Sequence, residues 1–157
     1  MKALSTALAL IILSASPSAL ALSATQTVLK EIRTTTPSGE VTTRYVDATL
    51  VTPGETIVYR LDYLNDSAEP VTDMVLTMPV PAEVTYQEGS ADQDGMDIYF
   101  STDGGESFSS RTDIMVDVGD GVMAPALSED ITHVRWISTR PVAVSAEGIL
   151  QFKAVLK

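Results

Sequence analysis

The chain has 157 residues, with 10 Lys and Arg against 21 Asp and Glu and a formal net charge of −11; its pI is near 4.3. That length fits one domain plus a targeting segment, and the acidic balance argues against nucleic acid as a partner and against anionic membrane surfaces. The absence of cysteine removes disulfides, thiolate nucleophiles, iron–sulfur clusters and cysteine zinc sites.

The first segment reads as an address. Lys2 gives a positive start, Ala7–Leu13 is apolar, Ser14, Ser16, Pro17 and Ser18 break the run, and Ala19-Leu20-Ala21 is a small-x-small cleavage pattern. Residues 1–21 are therefore expected to be a signal peptide cut after Ala21, with Ala24 as the second choice. The alternative is an uncleaved anchor. A spanning helix needs ~20 unbroken apolar residues, and Pro17 with its serines opposes that. No second long apolar segment follows, so the mature chain has no expected membrane span. Lys2 is the only charge among residues 1–21, so −11 becomes −12 on its removal. The expected location is outside the cytoplasm: periplasm, cell surface or extracellular medium.

The remainder reads as strands between turns, with almost no helical periodicity. Thr27–Thr35 is a first β-prone segment, Pro37-Ser38-Gly39 a turn, and Val41–Val51 a second strand closed by Pro53-Gly54. Glu55–Leu64 is the clearest strand: Ile57, Tyr59, Leu61 and Tyr63 alternate with Val58, Arg60, Asp62 and Leu64, a period of two. Asn65-Asp66-Ser67 ends it with good turn residues. Val71–Met78 runs into Pro79-Val80-Pro81, where the strand must stop or lie at an edge, since proline donates nothing to a ladder. Short strands are expected at Glu83–Gln87 and Met96–Ser101. Asp103-Gly104 is a hairpin signal leading to Glu106–Ser109. Residues 111–128 are ambiguous, with Ile114, Met115, Val116 and Val118 before a Gly119-Asp120-Gly121 turn. Ile131–Ser138 places Val134 and Trp136 inward, and Gly148–Leu156 places Leu150, Phe152, Ala154 and Leu156 inward. About eight or nine short, evenly spaced strands predict an all-β, antiparallel, immunoglobulin-like sandwich. One domain is expected over residues 25–157.

Several stretches occur in a recognisable order. Val51-Thr52-Pro53-Gly54-Glu55-Thr56-Ile57-Val58-Tyr59 precedes Leu64-Asn65-Asp66-Ser67, then Pro70–Met78 with Pro79-Val80-Pro81, Thr85-Tyr86, Gly89-Ser90-Ala91, Ile98–Phe108, Val134-Arg135-Trp136 and Gly148–Leu156. Over residues 45–157 this resembles the conserved repeat domain of bacterial and archaeal surface proteins known as domain of unknown function eleven. The resemblance implies an immunoglobulin-like sandwich in envelope or secreted proteins, mostly without assigned chemistry. Members often form tandem arrays, whereas this sequence carries one copy and an extra strand at Thr27–Thr35.

Candidate chemistry is sparse. Ser101-Thr102-Asp103-Gly104-Gly105-Glu106-Ser107-Phe108 is similar to the Asp-box hairpin of sialidase-like propellers, which implies a structural turn: the aspartate accepts loop amides and the aromatic plugs the core. Asp92, Asp94 and Asp97 have a faint calcium-loop look, but lack the spacing and closing glutamate of a calcium hand; a solvated acidic loop is the plainer reading. His133 is the only histidine, and no zinc set or nucleophile elbow accompanies it. Trp136 is expected in the core; a sugar platform would need it outside with other aromatics. No catalytic residue and no cofactor is expected, with calcium the one ion considered.

The leading expectation is thus an exported, non-enzymatic structural or interaction module whose partner is an envelope or extracellular protein, or a second copy. Two alternatives stand beside it. One is a subunit of an extracellular assembly in which the Thr27–Thr35 strand completes a neighbour's sheet. The other is a calcium- or carbohydrate-binding accessory module.

Overall fold

The computed structural model describes residues 22–157; the expected signal peptide lies outside them. Ten strands follow in order: β1 Leu22–Thr35, β2 Val41–Asp47, β3 Thr56–Asn65, β4 Val75–Pro79, β5 Val84–Tyr86, β6 Met96–Ser101, β7 Met115–Asp117, β8 Met123–Pro125, β9 His133–Ser138 and β10 Glu147–Leu156. No helix occurs among the described residues. A five-stranded sheet runs β2-β1-β3-β10-β5, a three-stranded sheet runs β4-β9-β6, and β7-β8 forms a separate hairpin. The strand pairs in these sheets are antiparallel.

The two larger sheets pack face to face, because each carries an alternating apolar row that must leave water. From the large sheet come Ile57, Tyr59 and Leu61 on β3, Leu150, Phe152 and Ala154 on β10, and Val84 and Tyr86 on β5; from the small sheet come Met78, Phe100, Val134 and Trp136. Tyr59 lies opposite Phe152 in register, and their rings stack at 4.9 Å and 15°. Tyr86 bridges the layers, 6.1 Å from Phe152 and edge-on to Phe100 at 5.3 Å. Trp136 is fully buried, and its indole N–H donates to the Ala91 carbonyl at 2.9 Å, which satisfies the polar end of a ring otherwise in apolar contact. The expected antiparallel sandwich and its inward rows are what the structure shows.

Asn65 does more than end a strand. Its side chain is completely buried. The amide donates to the carbonyls of Glu69, Val142 and Ala143 at 2.9–3.1 Å, while its oxygen accepts the Ser67 N–H at 3.1 Å and the Ser67 hydroxyl. One carboxamide so joins the turn after β3 to the loop before β10, satisfying carbonyls that would otherwise be stranded.

Several boundaries differ from expectation. β1 begins at Leu22, ahead of both Thr27 and the expected domain start, because Leu22–Val28 pairs with β3. β2 stops at Asp47, where Thr49 turns back on it. Val71 makes only an isolated bridge to Val142, since Asp73 at a φ of 52° breaks the run before β4. Pro79 closes β4, which is an edge strand, as proline requires. The expected Glu106–Ser109 strand is reduced to a bridge between Phe100 and Ser109, and the ambiguous 111–128 region resolves into β7 and β8.

Phe152→Ala should cost about 3–5 kcal/mol by urea denaturation, the range for emptying a buried aromatic site. Val118→Ala, on an exposed position, should change stability by less than about 0.5 kcal/mol.

Candidate functional site

The residues carrying recognisable chemistry are spent on structure. In the loop after β6 the Asp103 carboxylate accepts the N–H groups of Glu106 and Ser107 at 3.0 Å, the Ser101 hydroxyl at 2.7 Å and the Ser107 hydroxyl. Those donors, Ser107 first, hold its carboxyl far below the usual carboxylate range. Gly104 and Gly105 take φ of 79° and 91°, conformations that disfavour side chains. Gly105 donates to the buried Ser101 hydroxyl at 2.9 Å. This is the structural turn implied by the Asp-box resemblance, with one difference. Phe108 does not plug the core: it lies half-buried on the outer face of β9, under the Arg135 guanidinium at 3.5 Å and edge-on to His133 at 6.5 Å. Arg135 also donates to the Thr77 hydroxyl at 3.0 Å.

The three acidic candidates do not converge. Asp92, Asp94 and Asp97 are all exposed. Asp94 faces Arg140 at 3.4 Å. Among the described residues, no group of three or more His, Asp or Glu side chains is placed to hold a metal ion. His133 is half-buried and hydrogen-bonds to the Thr132 hydroxyl at 3.2 Å. Trp136, in the core, offers no sugar platform.

A charged cluster that the sequence did not single out lies on the outer face of the large sheet. The Glu31 carboxylate, 1% exposed, pairs with Lys153 across β3 and with Arg33 on its own strand; Tyr45 lies 5.9 Å from the Lys153 ammonium. Burial pushes the Glu31 carboxyl up, but the bonds from Lys153 and Arg33 outweigh it and leave it below its ordinary value. Glu31 sits between Lys30 and Ile32 in a mixed polar and apolar run, so only the cross-strand register, which sets Glu31 opposite Tyr45, reveals its partners.

What remains without an internal partner is surface. Five strands face three, so the inner face of β1 and β2 reaches beyond the small sheet and is covered only at its margins, where Leu22 packs against Val71 and Met74 and Lys30 donates to the Leu50 carbonyl. Register places Val28 beside Tyr59 and Lys30 beside Ile57, then Val46 beside Lys30 and Arg44 beside Ile32. These residues continue the core face of the sheet beyond the core. Val28 is 38% exposed; Ile32 and Val46 are half-buried and Arg44 is exposed. On the opposite face of the same sheet an open groove of about 540 Å³ runs over Ser23, Thr25, Arg60, Asp62 and Ile149, floored by the Arg60–Asp62 ion pair.

No protein-family model, curated protein or solved structure matches the chain.

The Glu31 cluster sets a pH dependence. A carboxyl whose folded pKa lies below its unfolded value stabilises the fold above that unfolded value, about 4.3, and loses the contribution as pH falls through the folded pKa. Glu31→Gln should therefore cost about 1.5–3 kcal/mol near neutrality, the scale of hydrogen bonds to charged groups. The gap between wild type and variant should shrink at pH 3, as read from urea midpoints at both pH values.

Proposed function

We propose that this chain is an exported, non-enzymatic interaction module of the cell envelope or extracellular space, and that the exposed part of the inner face of β1 and β2, around Val28, Ile32, Val46 and Arg44, is its binding surface. The observation that carries this reading is the mismatch of a five-stranded sheet against a three-stranded one. The mismatch leaves apolar side chains at the sheet's core-facing surface in water, at an entropic and hydration cost that a partner relieves.

Two further features support it. No buried side-chain nitrogen or oxygen among the described residues lacks a hydrogen-bond partner, so Asn65, Ser101, Ser138 and Glu31 serve architecture rather than poised chemistry. The signal-peptide pattern supports export. No helix among the described residues is long and apolar enough to cross a membrane.

Of the alternatives, an assembly that donates its N-terminal strand is less favoured. β1 is already paired inside its own domain, with β3 through Leu22–Lys30 and with β2 through Leu29–Thr35. A sugar- or calcium-binding role lacks an outward tryptophan and a gathered set of carboxylates.

A photo-crosslinking residue at Val28, in the full chain expressed in its source cell, tests the reading. Crosslinks to an envelope or extracellular protein, or to another copy, are expected; crosslinks confined to cytoplasmic proteins would contradict it. The same preparation should begin at Leu22, because cutting after Ala24 would delete residues paired with Asn65, Leu64 and Tyr63.

A further inference from the structure

The β7–β8 hairpin is the other apolar surface the fold leaves in water. Register sets Val116 opposite Ala124. Val116 packs against the core. The same face continues past it to Val118 and Val122, which are 63% and 59% exposed and joined by the Val118 N–H to Val122 carbonyl bond at 2.9 Å. Met123 and Leu127 are 55% and 61% exposed. The hairpin therefore overhangs the body with its core-facing row bare, although burying such side chains is the main driving force for the rest of the fold.

The two bare surfaces are complementary. The hairpin and its flanks are acidic: residues 111–130 hold Asp113, Asp117, Asp120, Glu129 and Asp130 against Arg111 alone, with Asp120 at the hairpin turn, and Arg111 is held by Glu88 at 2.7 Å. The inner face of β1 and β2 is apolar with basic groups. It presents Val28, Ile32 and Val46 with Lys30, which pairs with Glu55 at 2.7 Å, and Arg44, which makes no ion pair among the described residues. The shapes also agree, since the large sheet has two more strands than the small one and the hairpin has two.

The surfaces lie at opposite edges of the molecule, so one copy cannot join its own. β2 is one edge of the large sheet and β5 the other. The segments flanking the hairpin are tied to the β5 side, where Glu88 accepts from both Arg111 and Ser128. An interface between two different patches on opposite edges is heterologous, and it propagates as an open chain unless the rotation closes.

We propose that the occupant of the β1–β2 face is the β7–β8 hairpin of a second copy, so that copies join head to tail, each hairpin extending its neighbour's small sheet. The inference rests on the reading of that face as the binding surface. Hydrophobic burial supplies the attraction, and Arg44 meeting Asp120 at the hairpin turn sets orientation, as charged groups at interfaces do.

The test is the mass of mature wild-type chain, residues 22–157, by sedimentation and light scattering from micromolar to millimolar concentration at physiological salt. It is joined by Arg44→Glu on the face and Val122→Lys on the hairpin, with Val118→Lys as a second hairpin variant and thermal melts to confirm folding. Wild-type mass should rise with concentration without a fixed end point. Each folded variant alone should stay monomeric. An equimolar mixture of R44E and V122K should form dimers and nothing larger, because it retains one intact hairpin and one intact face. A wild type that is monomeric throughout overturns the inference, as do single variants that associate like wild type or a mixture that stays monomeric. If Val28 still crosslinks a different envelope protein, the binding-surface reading survives and only self-assembly falls.

Discussion

The aromatic row shared by β3 and β10 is the floor on which the rest of the molecule stands. Tyr59 stacks on Phe152, Leu61 pairs with Leu150 and Ile57 with Ala154, and the small sheet lands on this row with Trp136 and Val134 at its centre. Because β4, β9 and β6 are only three strands wide, they and the segment leading into β4 cover β3, β10, β5 and the Leu22 end of β1. The exposure of β1 and β2 follows from that width. Gly148 belongs to the same constraint: a Cβ there would collide with the ring and hydroxyl of Tyr63, so glycine is needed for that ring to lie across the end of β10.

The polar groups of the interior serve that arrangement. Asn65 fastens the loops at one end of the large sheet. Ser138 accepts the Met74 N–H at 2.9 Å, which holds the segment before β4 against β9. Ser101 and Asp103 shape the hairpin after β6, and Glu31 ties β1 to β10 over the width of β3. Removing one partner of a buried ion pair such as Glu31–Lys153 costs more than the pair's net contribution, because desolvation offsets much of the attraction and the remaining charge is left unpaired. Here the pair fixes the overhanging β1 against a strand with which it makes no backbone hydrogen bonds.

Much of the architecture was legible in the sequence. The alternation Ile57, Tyr59, Leu61 and the row Leu150, Phe152, Ala154 identified the two central strands and their inward faces, and Val134 and Trp136 identified the strand opposite. These rows were readable because a half-buried strand leaves a two-residue period. The short elements were not. β7 and β8 carry apolar residues on both faces, since one face meets the core and the other meets water, and so they show no clean alternation. Ser23–Thr27 is small or polar and carries no alternating apolar row, so this part of β1 leaves no signal in the sequence. Phe108 was expected inward from its motif, but only the outer stack with Arg135 and His133 reveals its direction. The bare face could not be read at all: Val28, Ile32 and Val46 alternate like any core row, and their exposure depends on how many strands lie opposite.

The central claim is that the core-facing side of β1 and β2 is open to water in the single molecule. Methyl NMR of dilute chain with a water-soluble paramagnetic relaxation agent tests it most directly. The methyls of Val28, Ile32 and Val46 should broaden along with exposed Leu50, while those of Leu150 and Val134 remain sharp. If Val28, Ile32 and Val46 were protected as fully as Leu150, another part of the chain would cover them, and the binding surface inferred here would not exist.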